Sequence, residues 1–171
     1  MTPEFSRPVR VDTIGETARL VEIEADTAER DALARRFGLV AIARLAAAFA
    51  VRREAGGYVL HGRVKASATQ ACSVTGEPLP ATIDEETALR FADSGASDEE
   101  LELDDSAIDV LPIEDGAIDL GEAAAETLAL ALDPFPRGPN AAAALAAAGV
   151  IDEASAGPFG ALAALRGKLG E

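Results

Sequence analysis

The sequence is poor in the residues from which metal centres and disulfides are built. Its 171 residues include one cysteine, Cys72, one histidine, His61, and no tryptophan. A single cysteine excludes an internal disulfide bond, which fits a reducing compartment. A structural zinc site needs four Cys, His or carboxylate ligands. We therefore expect neither a metal site nor a cofactor.

The sequence also lacks the short motifs that signal common catalytic mechanisms. It has no Walker A motif, no H-E-x-x-H, no G-x-S-x-G, and no G-x-G-x-x-G that follows a strand. A cysteine nucleophile needs a neighbouring base. His61 precedes Cys72 on the same predicted strand, about 35 Å away at about 3.3 Å per residue. We expect no catalytic residues and no enzyme, and we expect Cys72 to be a small apolar residue at a strand end.

Long apolar runs are absent as well. No run reaches the length of about 18 apolar residues that a membrane helix needs. The opening "MTPEFSRPVR" has no apolar core typical of a signal peptide. We therefore expect a cytoplasmic protein without a membrane partner.

Basic residues are scarce in the second half of the chain. The net charge is −15, and residues 91–171 carry 3 Lys or Arg against 17 Asp or Glu. This sign opposes bulk attraction to nucleic acid, so no DNA partner is expected, and it permits a basic protein partner. The acidic excess could instead serve solubility alone. The candidate residues for holding a basic partner are Asp98, Glu99, Glu100, Glu102, Asp104 and Asp105.

Hydrophobic patterning predicts strands and one helix in the first 92 residues. Residues 4–11 and 18–25 read as short strands, the first an edge strand because of Pro8. A helix capped by Asp26 or Thr27 is expected to end near Phe37, with Gly38 as its stop. Residues 39–51 fit either a helix or a strand. The Gly56-Gly57 turn signal favours three long antiparallel strands over residues 43–92.

Residues 93–106 are acidic and predict a solvated loop. A short strand over 107–114 and a helix over 119–132 follow, the helix capped by Asp119. Residues 140–149 read as a weak helix, and residues 157–170 read as a short terminal helix. The predicted fold class is α+β: an antiparallel meander, able to curl toward a barrel, with packed helices and an acidic loop. We expect one domain over 1–171, with a β-rich part (1–92), an acidic part (93–115) and a helical part (116–171).

A basic patch is predicted on the sheet. His61, Arg63 and Lys65 alternate along one face of a strand, and Arg52 and Arg53 lie across the Gly56-Gly57 turn. These five residues are candidates for contact with RNA phosphates. The alternatives are an ordinary solvated face, or a face paired with the acidic loop of the same chain.

Three segments in series resemble the YceD family, bacterial proteins named for large ribosomal RNA subunit accumulation. They are "TQACSVTGEPLPATIDEETALRF" (69–91), "IDLGEAAAETLALALDPFP" (118–136) and "GPFGALAALRGKL" (157–169). The residues that carry the likeness are Cys72, Glu77, Pro78, Ile118, Asp119, Leu120, Pro158 and Phe159.

The chain departs from the family where many members show C-x-x-C and further Cys or His residues. Thr75 stands in place of the second cysteine, and "PFPRGPNAAA" has neither Cys nor His. Cys72 is therefore interpreted as the remnant of a site that this chain does not complete.

The resemblance implies a role in the accumulation, processing or stability of large-subunit (23S) rRNA, exerted by binding. The implied partner is rRNA or a basic ribosomal protein of the large subunit. The alternatives are a protein-interaction module outside ribosome assembly and, with less support, a small-molecule enzyme.

Overall fold

The structure is a computed structural model that describes residues 4–92 and 110–150. The chain divides into two compact units. The first comprises Met1–Gln70 and Pro80–Pro134, and the second comprises Ala71–Leu79 and Phe135–Glu171. The single domain over 1–171 stays a prediction.

The described residues form strands, α-helices and one short 3₁₀ turn at Val11–Thr13. In chain order they are β1 (Pro8–Arg10), β2 (Arg19–Glu24), α1 (Thr27–Phe37), β3 (Ala41–Glu54), β4 (Gly57–Ala71), β5 (Pro78–Ala92), β6 (Val110–Pro112), β7 (Ala117–Asp119), α2 (Leu120–Ala131) and α3 (Ala141–Ala147). The α+β class is confirmed.

Helix α1 begins and ends where its sequence predicts. Asp26 accepts a hydrogen bond from Glu29 N at 2.9 Å, and Glu29 Oε2 accepts one from Asp26 N at 2.8 Å. This reciprocal pair is a capping box. Gly38 ends the helix with φ of 65°, in the left-handed region that favours glycine. Leu33 is fully buried, so the helix packs one face onto the core.

The main sheet has the strand order β2-β3-β4-β5-β6. Strands β2, β3 and β4 run antiparallel, and Gly56 and Gly57, both with positive φ, form the turn between β3 and β4. Strand β6 lies parallel to β5, with Arg90 opposite Val110. Among the described strands, the sheet does not close into a barrel.

The ambiguous segment 39–51 lies mostly in β3. Its alanines favour a helix as isolated residues, but the strand alternates buried Leu45, Ala47 and Phe49 with more exposed alanines. Pairing with β2 on one side and β4 on the other gives every second side chain a place in the core. Tertiary packing therefore overrides the helical propensity of this segment.

Strands β1 and β7 form a separate two-stranded sheet that leads into α2. Ile118 and Leu120, which flank the junction of β7 and α2, are buried in the core. Gly121, in the first turn of α2, lies so close to the N-terminal segment that a Cβ would stand 2.2 Å from the Phe5 carbonyl oxygen. The first unit therefore attaches its N-terminal segment to the start of α2.

A second close approach occurs inside the sheet. Gly62 of β4 lies opposite Phe49 of β3, whose ring covers it. A Cβ at residue 62 would lie 2.2 Å from Phe49 Cδ1 and 2.5 Å from the Ala48 carbonyl oxygen. The buried ring thus fits because residue 62 has no side chain.

The second unit is built around the turn after β4. Cys72 N donates to the Glu77 carbonyl at 2.8 Å, and Gly76 N donates to the Cys72 carbonyl at 2.9 Å. Ser73 N donates to the Pro136 carbonyl at 2.8 Å, and Asn140 Nδ2 donates to Glu77 Oε1 at 3.0 Å. These bonds join the turn to the segment that precedes α3.

Candidate functional site

The predicted basic residues of β4 lie on one exposed face of the sheet. His61, Arg63 and Lys65 are exposed, whereas Leu60 and Val64, which point to the other face, are fully buried. Period-two alternation along the strand produces this separation. The structure therefore brings the three predicted RNA-contacting residues of β4 onto a common face.

The two arginines of β3 do not both join this face. Arg52 lies opposite Val59 and shares the face of His61, whereas the next residue, Arg53, points to the opposite face. Arg52 also forms an ion pair with Glu54. Arg53 therefore does not belong to the exposed basic patch, and Arg52, which does, is paired with Glu54 of the same strand.

Arg63, in the middle of the patch, is held by carboxylates of β5. Its Nε lies 2.5 Å from Asp84 Oδ1 and its Nη1 lies 3.1 Å from Glu86 Oε1. The hydrogen bond to Asp84 raises the pKa of Arg63, and the same bond lowers the pKa of Asp84. Sequence reasoning missed these partners, although the alternation of Asp84 and Glu86 in "IDEE" is the signal that could have revealed them.

A trough follows this face along β3. Two adjoining hollows of about 540 and 470 Å³ share Glu22, Ala48 and Arg63 as lining residues. We call them together the sheet trough. Its lining residues come from four strands and include Glu22 and Glu24 of β2; Ala46, Ala48 and Ala50 of β3; His61, Arg63 and Lys65 of β4; and Glu86, Thr87 and Ala88 of β5.

Cys72 begins the turn of the second unit. Its side chain is 3% exposed. Sγ accepts hydrogen bonds from Gly138 N at 3.3 Å and from Thr75 N at 3.5 Å. These donors stabilise the negative charge of a thiolate, Gly138 most strongly, and they lower the pKa of the Cys72 thiol to about 6. The Gly138 contact joins residues 66 positions apart, and the sequence carries no sign of it.

A metal site would need further ligands beside Cys72. Thr75 and Gly138 present backbone N–H groups to the sulfur, which stabilise a thiolate but do not ligate a metal. Residues 4–92 and 110–150 contain no group of three His, Cys, Asp or Glu side chains that could hold a metal. The interpretation of Cys72 as a remnant of a metal site stays a prediction.

The other residues that carry the family likeness have structural positions. Glu77 closes the turn of the second unit, and Pro78 begins β5. Asp119 caps α2 by accepting from Gly121 N at 2.9 Å and Glu122 N at 3.3 Å. Two further residues of the family likeness, Pro158 and Phe159, lie outside the described residues. The acidic candidates for holding a basic partner also lie outside them; these are Asp98, Glu99, Glu100, Glu102, Asp104 and Asp105.

A family model matches residues 60–166 of the chain, and its description is "Large ribosomal RNA subunit accumulation protein YceD". The chain belongs to the YceD family. The match begins in β4 and includes Cys72, the acidic segment and α2. The YceD description implies involvement in the accumulation of large-subunit rRNA, and it names neither a partner nor a mechanism.

Comparisons of this YceD-family chain with curated proteins and with solved structures found no match. None of the helices in the described ranges is both long and apolar enough to cross a membrane.

Proposed function

We propose that this YceD-family protein supports the accumulation of large-subunit rRNA by binding a basic protein of the large ribosomal subunit, without catalysing a reaction. The observation that carries the proposal is the charge distribution. Residues 91–171 hold 17 acidic against 3 basic residues, with the densest acidic run at 98–105. Such a segment attracts a basic protein and repels phosphates. The proposed role requires a cytoplasmic location.

The pairing of the basic patch favours a protein partner over RNA. Arg63 is paired with Asp84 and Glu86, and Arg52 with Glu54. On this face of the described sheet, Lys65 is the one patch residue with a permanent charge and no ion pair. Affinity for RNA depends on neutralising several phosphates at once, and one lysine supplies little of it.

The first test measures the ratio of large- to small-subunit rRNA in cells with and without the protein. Depletion is expected to lower the ratio, and wild-type protein should restore it. An unchanged ratio, with normal subunit profiles, would refute the role in rRNA accumulation.

Two variants then separate the protein partner from the RNA partner. In the first, the six acidic residues from Asp98 to Asp105 become Asn or Gln, which removes charge without changing chain length. In the second, Arg63→Glu and Lys65→Glu reverse the charge of the basic patch. We expect the first variant to fail to restore the ratio and the second to restore it. The opposite pattern would favour direct contact with rRNA.

Binding in solution provides an independent check. The full-length wild-type protein should retain purified large-subunit proteins, and the variant with six Asn or Gln residues should retain less of them. Binding to the wild-type protein should weaken as the salt concentration rises. Capture of partners that include no ribosomal component would instead support an interaction module outside ribosome assembly.

A further inference from the structure

The second unit joins two segments that lie far apart in the sequence, the turn Ala71–Leu79 and residues 135–140. The C-x-x-C and later Cys or His residues of many YceD-family members imply a metal that joins these segments. This chain retains only Cys72 of that set, and a structural zinc site needs four ligands. Another interaction must therefore hold the two segments together here.

The residue in place of the second cysteine, Thr75, takes part in a hydrogen-bonded connection between the segments. Thr75 Oγ1 donates to Glu77 Oε2 at 2.9 Å. The other oxygen of the same carboxylate, Oε1, accepts a hydrogen bond from Asn140 Nδ2 at 3.0 Å. One carboxylate thus accepts a hydrogen bond from each of the two segments.

The sulfur of Cys72 makes a second connection of the same kind. Sγ accepts a hydrogen bond from Thr75 N in the turn and another from Gly138 N in the second segment. Cys72 is buried, and a hydrogen bond is stronger where water is excluded. Gly138 also lies close to Leu79, since a Cβ at residue 138 would stand 3.0 Å from Leu79 Cδ2. The two segments are therefore in close contact at the sulfur.

A third connection lies at the residue after the cysteine. Ser73 N and Ser73 Oγ both donate to the Pro136 carbonyl, at 2.8 and 3.0 Å. The three connections thus use every second residue from 136 to 140. We call them together the turn clasp; its hydrogen bonds run from Ser73 to Pro136, from Gly138 to Cys72, and from Asn140 to Glu77.

The groups of the turn clasp are partners in hydrogen bonds and do not form a set of metal ligands. Both carboxylate oxygens of Glu77 accept hydrogen bonds, one from a hydroxyl and one from an amide. The Pro136 carbonyl accepts from Ser73 in the same way. Within residues 4–92 and 110–150, no group of three His, Cys, Asp or Glu side chains could hold a metal. The chemistry of these contacts therefore favours a hydrogen-bonded junction.

We propose that the second unit folds without a metal ion, and that the turn clasp joins its two segments where the family pattern implies a metal. In a thiolate metal site several sulfur anions surround one cation, whereas here N–H groups from both segments surround one sulfur. The proposal concerns the second unit alone. Its failure would leave the proposed role in rRNA accumulation untouched, and the converse also holds.

Hydrogen exchange of the full-length protein, measured by mass spectrometry, tests whether the second unit depends on a metal. Peptides that cover Ala71–Leu79 and residues 135–148 should be protected from exchange, and a strong zinc chelator should leave their protection unchanged. Calorimetric titration with zinc chloride should show no one-to-one binding tighter than about 10 μM. Absent protection, faster exchange after chelation, or tight one-to-one zinc binding would each overturn the proposal.

Three substitutions test the connections themselves. Cys72→Ala removes the sulfur acceptor and Glu77→Ala removes the carboxylate, so each should speed exchange in residues 135–140 by at least about tenfold. Thr75→Val keeps a similar shape but loses the hydroxyl, and a smaller rise is expected. The matched control is Glu85→Ala, which removes the same kind of carboxylate from an exposed position of β5 and should leave this exchange unchanged.

Helix α1 serves as the internal reference, because it belongs to the first unit. Its exchange should stay at the wild-type rate in every variant. If α1 also exchanges faster in an alanine variant, that variant has lost global stability, and the proposal then stands or falls with Thr75→Val. The turn clasp is refuted if Cys72→Ala and Glu77→Ala exchange like Glu85→Ala in residues 135–140.

Discussion

Asp119 allows a quantitative test of how the first unit is held together. Besides capping α2, its carboxylate accepts hydrogen bonds from Arg7 N at 2.7 Å and from Ser6 Oγ at 2.5 Å. This one half-buried carboxylate thus accepts hydrogen bonds from the first turn of α2 and from a segment more than 110 residues earlier in the chain. Replacing Asp119 with Ala removes both functions at once.

The expected loss follows from these contacts. Removal of a helix cap costs about 1 kcal/mol. Each hydrogen bond to a charged acceptor contributes about 1.5–3 kcal/mol, less where water reaches the pair. Since the site is half-buried and the terms are not additive, we expect Asp119→Ala to lower the free energy of unfolding by about 3 kcal/mol. In a protein of this size the melting temperature should fall by roughly 6–12 °C.

Urea denaturation followed by circular dichroism measures this change. Asp119→Asn keeps a good capping group but loses the charge, so its loss should be smaller, about 1–2 kcal/mol. Asp31→Asn, at an exposed position of α1, should stay within about 0.5 kcal/mol of wild type. A loss below about 0.5 kcal/mol for Asp119→Ala would refute the attachment of the N-terminal segment through this residue.

Three further predictions concern a glycine, an ion pair and the cysteine. Gly62→Ala should lower the free energy of unfolding by about 1–3 kcal/mol, because its Cβ meets a buried ring, whereas Gly15→Ala, with open space around it, should have little effect in the same urea assay. The hydrogen bond from Arg7 lowers the pKa of Glu29, so the stabilisation is present above the unfolded carboxyl value of about 4.3 and is lost as pH falls through the lowered folded pKa. Glu29→Gln should therefore be less stable than wild type at neutral pH and equally stable in strong acid; a gap that persists in acid would contradict this. The Cys72 thiol should titrate near pH 6 by thiolate absorbance, and the urea-unfolded protein near 8.5. Because the folded pKa is the lower one, stability should rise with pH between these values, and Cys72→Ala should lack that rise; a folded midpoint near 8.5 would exclude the N–H contacts to sulfur.

Local patterns of sequence were enough to predict much of the fold. Asp26 and Gly38 set the ends of α1 because caps and left-handed stops are properties of single positions. The glycines at Gly56-Gly57 predicted the turn of the first long hairpin. The alternation along β4 predicted that His61 and Lys65 lie on the same face of the sheet. In each case the decisive interaction involves residues close together in the chain.

The candidate site was less predictable, since it depends on contacts between distant residues. The ion pairs of Arg63 require the register between β4 and β5, and a slip by one residue would turn those carboxylates to the other face. The hydrogen bond from Gly138 to Cys72 depends on where a remote segment lies. The positions of basic residues in the sequence therefore predicted the basic patch, but not the carboxylates of β5 that neutralise Arg63.

The parallel pairing of β5 and β6 has a consequence for the acidic segment. Since Arg90 lies opposite Val110, the last residue of β5, Ala92, is only about 8 Å from Val110. The chain thus leaves the sheet and rejoins it at nearly one place, after 17 intervening residues. Closing a connection of any greater length between these two anchors adds only about 0.6 kcal/mol for each doubling. The sheet therefore fixes the two anchor points of this insert, and lengthening the connection between them should cost little free energy of folding.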